Sequence, residues 1–283
     1  MTSSPEWEVI VDGLAFPEGM RWRDGHLYYS DIFGGVVQRV APGGSPETLA
    51  EVDGLPSGLG FAPDGTILVV SMRTRSVMRL GPNGPELWAD LADLTNGDCN
   101  DMLVDPLGRA YVGNFGYDYV GGAERQPAAL VMVDVDGSAR QVADGLWFPN
   151  GMVLTPDGNT LLVAETRGER ITAFDVAADG SLSGRRVFAT LPDRGPDGMG
   201  IDRDGGVWFG DPHTRQVVHV DADGEVQTTW EAPNEQTQAC ALGGPDGHTL
   251  FVACSPTADQ HEATSRRPAK ILSTRVAVGA PNG

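Results

Sequence analysis

Short apolar runs of two to five residues recur along the chain, separated by turns rich in Gly and Asp. One stretch shows the full unit: Pro196-Asp197-Gly198-Met199-Gly200-Ile201, then Asp204-Gly205, then Val207-Trp208-Phe209. An oxygen-bearing residue on a tight turn enters a short strand, an Asp-Gly pair reverses the chain, and a second strand returns. The same order runs through Glu18-Gly19-Met20, Asp24-Gly25 and Leu27-Tyr28-Tyr29, and through Ser57-Gly58-Leu59, Asp64-Gly65 and Ile67-Leu68-Val69-Val70. It returns at Asn100-Asp101-Met102 with Ala110-Tyr111-Val112, and at Asn150-Gly151-Met152 with Leu161-Leu162-Val163. A weaker sixth copy reads Cys240-Ala241-Leu242, Asp246-Gly247, Leu250-Phe251-Val252. Equivalent positions lie 39, 43, 50, 47 and 43 residues apart.

A period of about 40–50 residues with short β runs and Asp-Gly reversals is the signature of propeller blades. Asp-Gly supplies the positive φ angles of a two-residue hairpin. A third run follows each hairpin, as in Val36–Val40, Ser76–Leu80, Ala129–Val133, Ile171–Asp175 and Val217–Val220, and a polar turn leads to a fourth. The pattern predicts an all-β, six-bladed β-propeller over residues 1–283, a single domain with four antiparallel strands per blade. Lys270–Val276 has no fourth strand after it, and Trp7–Val11 precedes the first unit with nothing to pair with. The N-terminal strand is therefore expected to join the last blade and close the ring, which removes two exposed edges. No window longer than ten residues shows helical periodicity.

Composition narrows the partners. The formal charge is -19, with a single lysine, Lys270. Such a chain repels nucleic acid and anionic membrane surfaces, so neither is an expected partner. The N-terminal residues show no basic region or apolar run of a signal peptide, and no stretch is long enough for a membrane helix. Three cysteines (Cys99, Cys240 and Cys254) form no Cys-x-x-Cys pair, which argues against a thiolate metal site or a disulfide framework. A cytoplasmic monomer or homodimer acting on a small molecule is the expectation.

In a propeller the innermost strand of each blade starts beside the central channel. If the six units are equivalent, Glu18, Ser57, Asn100, Asn150, Asp197 and Cys240 ring one mouth of that channel. Carboxylate and amide oxygens converging on one point make a site for a hard cation such as Ca²⁺, Mg²⁺ or Mn²⁺. Asp, Asn and Ser also build turns entering strands. That explanation fails for Glu18 and for the set, because buried like charges need a cation.

The second strand of each blade returns to the same face, so the segments after it form the rim of a pocket. Candidate pocket residues are Phe33, Arg73, Asn114, Phe115, Tyr117, Trp147, Thr166 and His213. The segment 114–127 is the longest of these and is a candidate lid, since long loops in compact domains tend to carry function.

The chain resembles the senescence marker protein, gluconolactonase and luciferin-regenerating enzyme superfamily. The motifs that carry the resemblance are Phe16-Pro17-Glu18-Gly19, Asn100-Asp101, Pro149-Asn150-Gly151, Pro196-Asp197-Gly198-Met199 and Gly243-Gly244-Pro245-Asp246. It implies a six-bladed propeller binding one divalent cation, Ca²⁺ before Mg²⁺, Mn²⁺ or Zn²⁺, with many members hydrolysing lactones. Carried over by residue, Glu18, Asn150 and Asp197 match metal ligands, Asn100 matches a residue contacting metal or substrate, and Asp197 matches the general base. One departure stands out: sugar-lactone members are expected to carry an arginine where this chain has Asp98. The aromatic rim (Phe33, Phe115, Tyr117, Tyr119, Trp147) leaves room for a more apolar ester or lactone.

Three readings of the function follow. The first is a metal-dependent lactonase in which Asp197, or alternatively Asp101, deprotonates the attacking water and Asn100 orients the substrate. The second is a calcium- or ligand-binding propeller without turnover. The third keeps the site and changes the chemistry, to phosphotriester hydrolysis or a biosynthetic ring-opening or isomerising step. The lack of a Gly-x-Ser-x-Gly elbow, and of a histidine placed to serve Ser57, argues against a serine hydrolase.

Overall fold

The structure, a computed structural model, describes residues 5–233 and 235–281. The first strand, β1 (Glu8–Leu14), leaves the first repeat to the residues after it. Blade one is the antiparallel sheet of β2 (Pro17–Arg23), β3 (His26–Asp31), β4 (Val36–Val40) and β5 (Glu47–Glu51). Blade two holds β6 (Pro56–Phe61), β7 (Ile67–Ser71), β8 (Ser76–Gly81) and β9 (Gly84–Asp90). Blade three holds β10 (Cys99–Val104), β11 (Ala110–Asn114), β12 (Ala128–Val133) and β13 (Ala139–Leu146). Blade four follows with β14 (Pro149–Leu154), β15 (Thr160–Glu165), β16 (Arg170–Val176) and β17 (Leu182–Thr190). Blade five has β18 (Met199–Ile201), β19 (Val207–Asp211), β20 (Gln216–Val220) and β21 (Val226–Glu231). Blade six has β22 (Gln236–Gly243), β23 (Thr249–Ser255) and, after helix α1 (Gln260–Arg266), β24 (Ala269–Arg275).

The expected closure is present. β1 lies antiparallel to β24, with Glu8 opposite Ser273 and Leu14 opposite Ala269, so the start of the chain supplies the outer strand of the last blade. The inner strands touch in succession around the channel: β2, β6, β10, β14, β18, β22 and β2 again.

The apolar residues lie between blades. Both faces of each sheet are covered by a neighbour, which is why the strands read as short continuous apolar runs rather than strict alternation. Val153, Leu162 and Ile171 of blade four meet Met199, Phe209 and Val218 of blade five. Ala239, Phe251 and Ile271 of blade six meet Met20, Leu27 and Tyr29 of blade one, together with Val11 and Leu14 of β1. Comparable clusters fill the other four seams.

Two expectations change in detail. At Asp24-Gly25 both residues take positive φ (49° and 76°) and Arg23 pairs directly with His26, as a two-residue turn requires. At Asp64, Asp157 and Asp246 the turn is longer. There the Asp side chain accepts from the backbone N–H two residues on (Thr66 at 2.9 Å, Asn159 at 3.1 Å, His248 at 3.1 Å) and positive φ falls on the glycine alone. The carboxylate builds the turn that the backbone of Asp would otherwise have to strain to make.

The second change concerns loop length. The segment 115–127 shares its length with 256–268, which carries α1. Asp259 caps this helix by accepting from Glu262 N at 2.8 Å, and Arg267 ends it in the left-handed region at φ 45°. Arg267 then reaches back to Asp31 Oδ2 (2.7 Å) and Gly13 O (2.7 Å), which pins the helix over blade one.

Candidate metal centre

Each inner strand carries a β-bulge at the same place. In blade two Pro56 faces Ser71, and the next pair is Leu59 with Val69, so one extra residue is taken up between them. The same shift separates Cys99–Asn114 from Met102–Val112, and Pro149–Glu165 from Met152–Val163. In blade five Asp197 N donates to Gly210 O at 2.9 Å while Gly210 N donates to Gly198 O at 3.3 Å, so two residues share one partner. A bulge re-aims the side chain of the extra residue away from both faces of its sheet. The only direction left at an inner strand is the channel.

The bulges place Glu18, Ser57, Asn100, Asn150 and Asp197 in register, but they correct the sixth position. In β22 Thr237 pairs with Cys254 and Ala239 with Ala253, so the bulged residue is Gln238. Cys240 pairs with Val252 and belongs to the seam with Trp208 and Val217. It sits two residues past the ring. Its thiol is pushed up by burial and then by the nearby charges of Cys254, Glu18 and Asp197, the opposite of what a thiolate ligand needs.

Close approach between neighbouring strands is written into glycines. A methyl group on Gly151 would lie 2.5 Å from Asp197 O, and one on Gly198 would lie 2.5 Å from the Ala239 Cβ. These contacts bring blades four, five and six edge to edge around the mouth.

Glu18, Ser57, Asn100, Asn150 and Gln238 are buried, and Asp197 is half-buried. Burial, then the charge of Asp101, pushes the Glu18 carboxyl up to about 8, against the pull of the Gly19 N–H and Arg21. Asp197 is pushed well above the usual carboxylate range by burial, then by Glu18, Asp101 and Asp211, with an Asn150 hydrogen bond acting the other way. Asp197 therefore feels the charge of Glu18, and both feel that of Asp101. Asp101 is raised by burial, offset by Arg21 at 3.3 Å and by the Met102 N–H at 2.8 Å.

Several polar atoms at this place have no partner. Asn100 Nδ2, Asp197 Oδ1 and both side-chain polar atoms of Gln238 are buried and unbonded among the described residues. Unpaired buried polar atoms are uncommon and call for an explanation such as an ion or water. No group of three or more His, Cys, Asp or Glu side chains at metal-binding spacing occurs among the described residues. The donor set at the mouth is instead mixed, with carboxylates from Glu18 and Asp197 and amides from Asn100, Asn150 and Gln238. That chemistry fits a hard, oxygen-seeking divalent cation.

The rim residues divide into groups. Phe115 stacks on Phe148 with ring centres 4.4 Å apart and planes 12° from parallel, and Tyr117 and Tyr119 pack against the same rings. Phe33 meets Phe16 at 5.1 Å and packs on this same apolar cluster. Arg167 lies over Phe148 at 5.9 Å and stands 3.3 Å from His213. Trp147 is exposed and shares a recess with Arg125, Arg167 and Arg170. Thr166 is buried and accepts from Asn150 Nδ2 (3.2 Å) while donating to Pro196 O (2.8 Å), which ties two ring residues' strands together.

Two candidates lie apart from this group or behind it. Arg73 points along the surface to Gln260 Oε1 of α1 at 2.9 Å. Asn114 is fully enclosed, donating to Ala129 O and accepting from Gly116 N, so it anchors the base of the 115–127 loop. Asp31, Glu165 and Asp211 occupy the same strand-end position as Asn114 in other blades and are also fully buried. Each accepts from the backbone entering its own inner strand: Asp31 from Phe16 N, Glu165 from Trp147 N, and Asp211 from Gly195 N. Rim position alone does not distinguish such brackets from pocket residues; the repeated acidic residue at the end of the second strand was the available signal. Sequence reasoning also missed Phe148 and Gln238. Phe148 stands directly before Pro149 as Phe16 does before Pro17.

A groove of about 580 Å³ at the seam of blades one and six, lined by Trp7, Trp22 and Phe251, contains none of the ring residues. No helix among the described residues is long and apolar enough to cross a membrane.

Comparison with known proteins places this geometry in context. Pentonolactonase XacC of Haloferax volcanii is 31% identical over 251 residues, spanning 86% of this chain and 83% of that protein. Regucalcin of Xenopus laevis is 25% identical over 268 residues, spanning 92% and 90%. The crystal structure of a calcium-binding protein, regucalcin, from Agrobacterium tumefaciens superposes with a TM-score of 0.81 at 21% identity, covering 98% of this chain and 95% of that one. Residues 16–255 match the model of the SMP-30/gluconolactonase/LRE-like region, and the chain belongs to that family.

Proposed function

We propose that this chain is a divalent-cation-dependent hydrolase that opens a lactone, or a related ester, at the mouth of the channel. The observation that carries this reading is the ring of bulge residues, whose carboxylates are forced together and whose polar atoms lack partners. Its relatives' names support the reaction class: a pentonolactonase is 31% identical over most of both chains. The regucalcin relatives, one described as calcium-binding, support Ca²⁺ as the first ion to try.

Glu18, Asn150 and Asp197 are the residues to hold the cation, with Asn100 beside them. When bound, such a cation supplies positive charge for a carbonyl oxygen and acidity for a water. Asn100 directs its amide at the substrate's ester group. Asp197 Oδ1 takes a proton from the attacking water as the new C–O bond forms at the lactone carbonyl. When the ring C–O bond breaks, the same atom returns that proton to the departing alkoxide oxygen. Burial, followed by the charge of Glu18, pushes the Asp197 carboxyl well above the usual carboxylate range, which makes it a stronger proton acceptor than an exposed aspartate. Asp101 is the weaker candidate for base, since Arg21 and the Met102 N–H occupy it.

Phe115, Phe148 and Tyr117 pack into one apolar cluster, which in this reading supplies an apolar wall for the substrate. A lactone with an apolar substituent suits that wall, whereas the position expected to carry a sugar-binding arginine holds Asp98. The test is acid release from a panel of γ- and δ-lactones and aryl esters by chelator-treated protein, before and after adding Ca²⁺, Mg²⁺, Mn²⁺ or Zn²⁺. The reading expects turnover that returns with one of these ions. Turnover unaffected by full chelation would contradict it, and ion binding without turnover on any ester would favour a purely binding propeller.

A further inference from the structure

Gln238 occupies the one ring position that the sequence pattern assigned to another residue. Around the mouth it stands between the bulge of blade five, which presents Asp197, and that of blade one, which presents Glu18. Its own backbone holds it there: Gly198 N donates to Gln238 O at 2.8 Å. Its neighbours in sequence are used elsewhere. Thr237 faces blade five, accepting from Asp211 N at 2.9 Å, and Ala239 faces blade one in the cluster with Met20. The bulged residue between them faces neither seam.

The side chain is 1% exposed, and neither its amide nitrogen nor its oxygen has a partner among the described residues. A structural amide in this place would donate to a flanking carboxylate. It does not, and Asp197 Oδ1 is likewise unbonded. An amide oxygen set between two like charges is repelled by both, and only a cation held by all three turns that repulsion into binding.

We propose that Gln238 is a further oxygen donor to the divalent cation, closing the coordination shell between Glu18 and Asp197. The inference rests on the cation reading of the channel mouth given above. Its two flanking carboxylates supply the charge; the neutral amide supplies an oxygen without adding a third negative charge to a buried site. Ca²⁺ takes six to eight oxygens, so the donors already named leave room for it.

Calorimetric titration of chelator-treated protein with CaCl₂ tests this directly, on wild type, Gln238→Ala and Gln238→Glu, with thermal melts of the cation-free proteins alongside. The expected results are Ca²⁺ binding weakened by about tenfold or more in Gln238→Ala and tightened by about tenfold or more in Gln238→Glu. The cation-free Gln238→Glu protein should melt below wild type, because it gathers a third carboxylate, and should gain more than wild type from added Ca²⁺. Variants that bind Ca²⁺ within about twofold of wild type overturn the proposal, even if Gln238→Ala is less stable, since that pattern marks a packing residue. Should Gln238→Ala fail to fold, an unchanged affinity in Gln238→Glu overturns it alone. A wild-type protein that binds none of the four divalent ions removes the cation reading itself, which is a separate failure.

Discussion

Asp197 and Gly198 share a single partner, Gly210: one donates to its carbonyl at 2.9 Å and the other accepts from its N–H at 3.3 Å. That two-against-one pairing is what points Asp197 at the channel. The strand has no need of a special side chain to do so, only of one residue too many. Because the same irregularity recurs in the other blades, a local feature of six separate hairpins builds the proposed shared site.

The fit between neighbouring bulges makes Gly151 sensitive. A Cβ there would lie 2.5 Å from Asp197 O and 2.6 Å from Met199 N, both backbone atoms that have no soft way to move. Gly151→Ala is expected to cost about 1–3 kcal/mol in urea unfolding and to weaken cation binding by shifting Asp197 against Asn150. An unchanged unfolding midpoint would show that the blades are less tightly opposed.

Asp197 is assigned two duties, and one substitution separates them from a purely structural role. Asp197→Asn keeps the shape and an oxygen but removes the charge and the proton acceptor. Lactone turnover should fall by about 10²–10⁴-fold at saturating cation. Thermal stability of the cation-free protein should rise, because a buried like charge is gone. A variant that turns over at the wild-type rate removes Asp197 from the reaction.

The raised Glu18 pKa gives a pH dependence with a definite sign. Its ordinary value is 4.5 and burial, followed by Asp101, pushes it up to about 8. Between those values the folded, cation-free chain holds more protons than the unfolded chain, so this group's contribution to stability falls as pH rises through the window. Cation capture needs the carboxylate and therefore expels the proton. Titration calorimetry near neutral pH in buffers of different ionisation enthalpy should show net proton release on Ca²⁺ binding. Binding with no proton exchange there would contradict the coupling.

Glu165 answers a different question, whether the buried strand-end acids are brackets. Its carboxyl is opposed by burial but held below the usual range by bonds from Arg170, Thr172 and the Trp147 N–H. It stabilises the fold above its unfolded pKa, and that stabilisation is lost as pH falls. Glu165→Ala strands Arg170 and the Trp147 N–H and should cost about 3–5 kcal/mol, in cation-free and cation-loaded protein alike. A loss seen only in the loaded protein would move Glu165 into the cation site.

Blade number, strand number and ring closure were legible because the repeat unit is short and its turns are chemically marked. The candidate site was legible wherever a Gly or Asp follows the bulged residue, and in four blades a Pro also precedes it, as at Pro17-Glu18-Gly19 and Pro149-Asn150-Gly151. Blade six has Thr237-Gln238-Ala239 in that place, with neither marker, so spacing alone set the ring position two residues late at Cys240. Strand registry, which depends on hydrogen bonds between β22 and β23, was needed to find it. Helix α1 escaped for another reason. Seven residues are too few to show a period, although Asp259 followed three residues later by Glu262 is the local sign of a helix start.

Side chains far apart in sequence are proposed to grip one ion at the channel mouth. Anomalous scattering from crystals soaked in Mn²⁺, recorded at the manganese absorption edge, tests this most directly. One strong peak is expected among Glu18, Asn150 and Asp197, with oxygens at about 2.0–2.6 Å. Full occupancy by Mn²⁺ at another place, with no peak at the mouth, would contradict it.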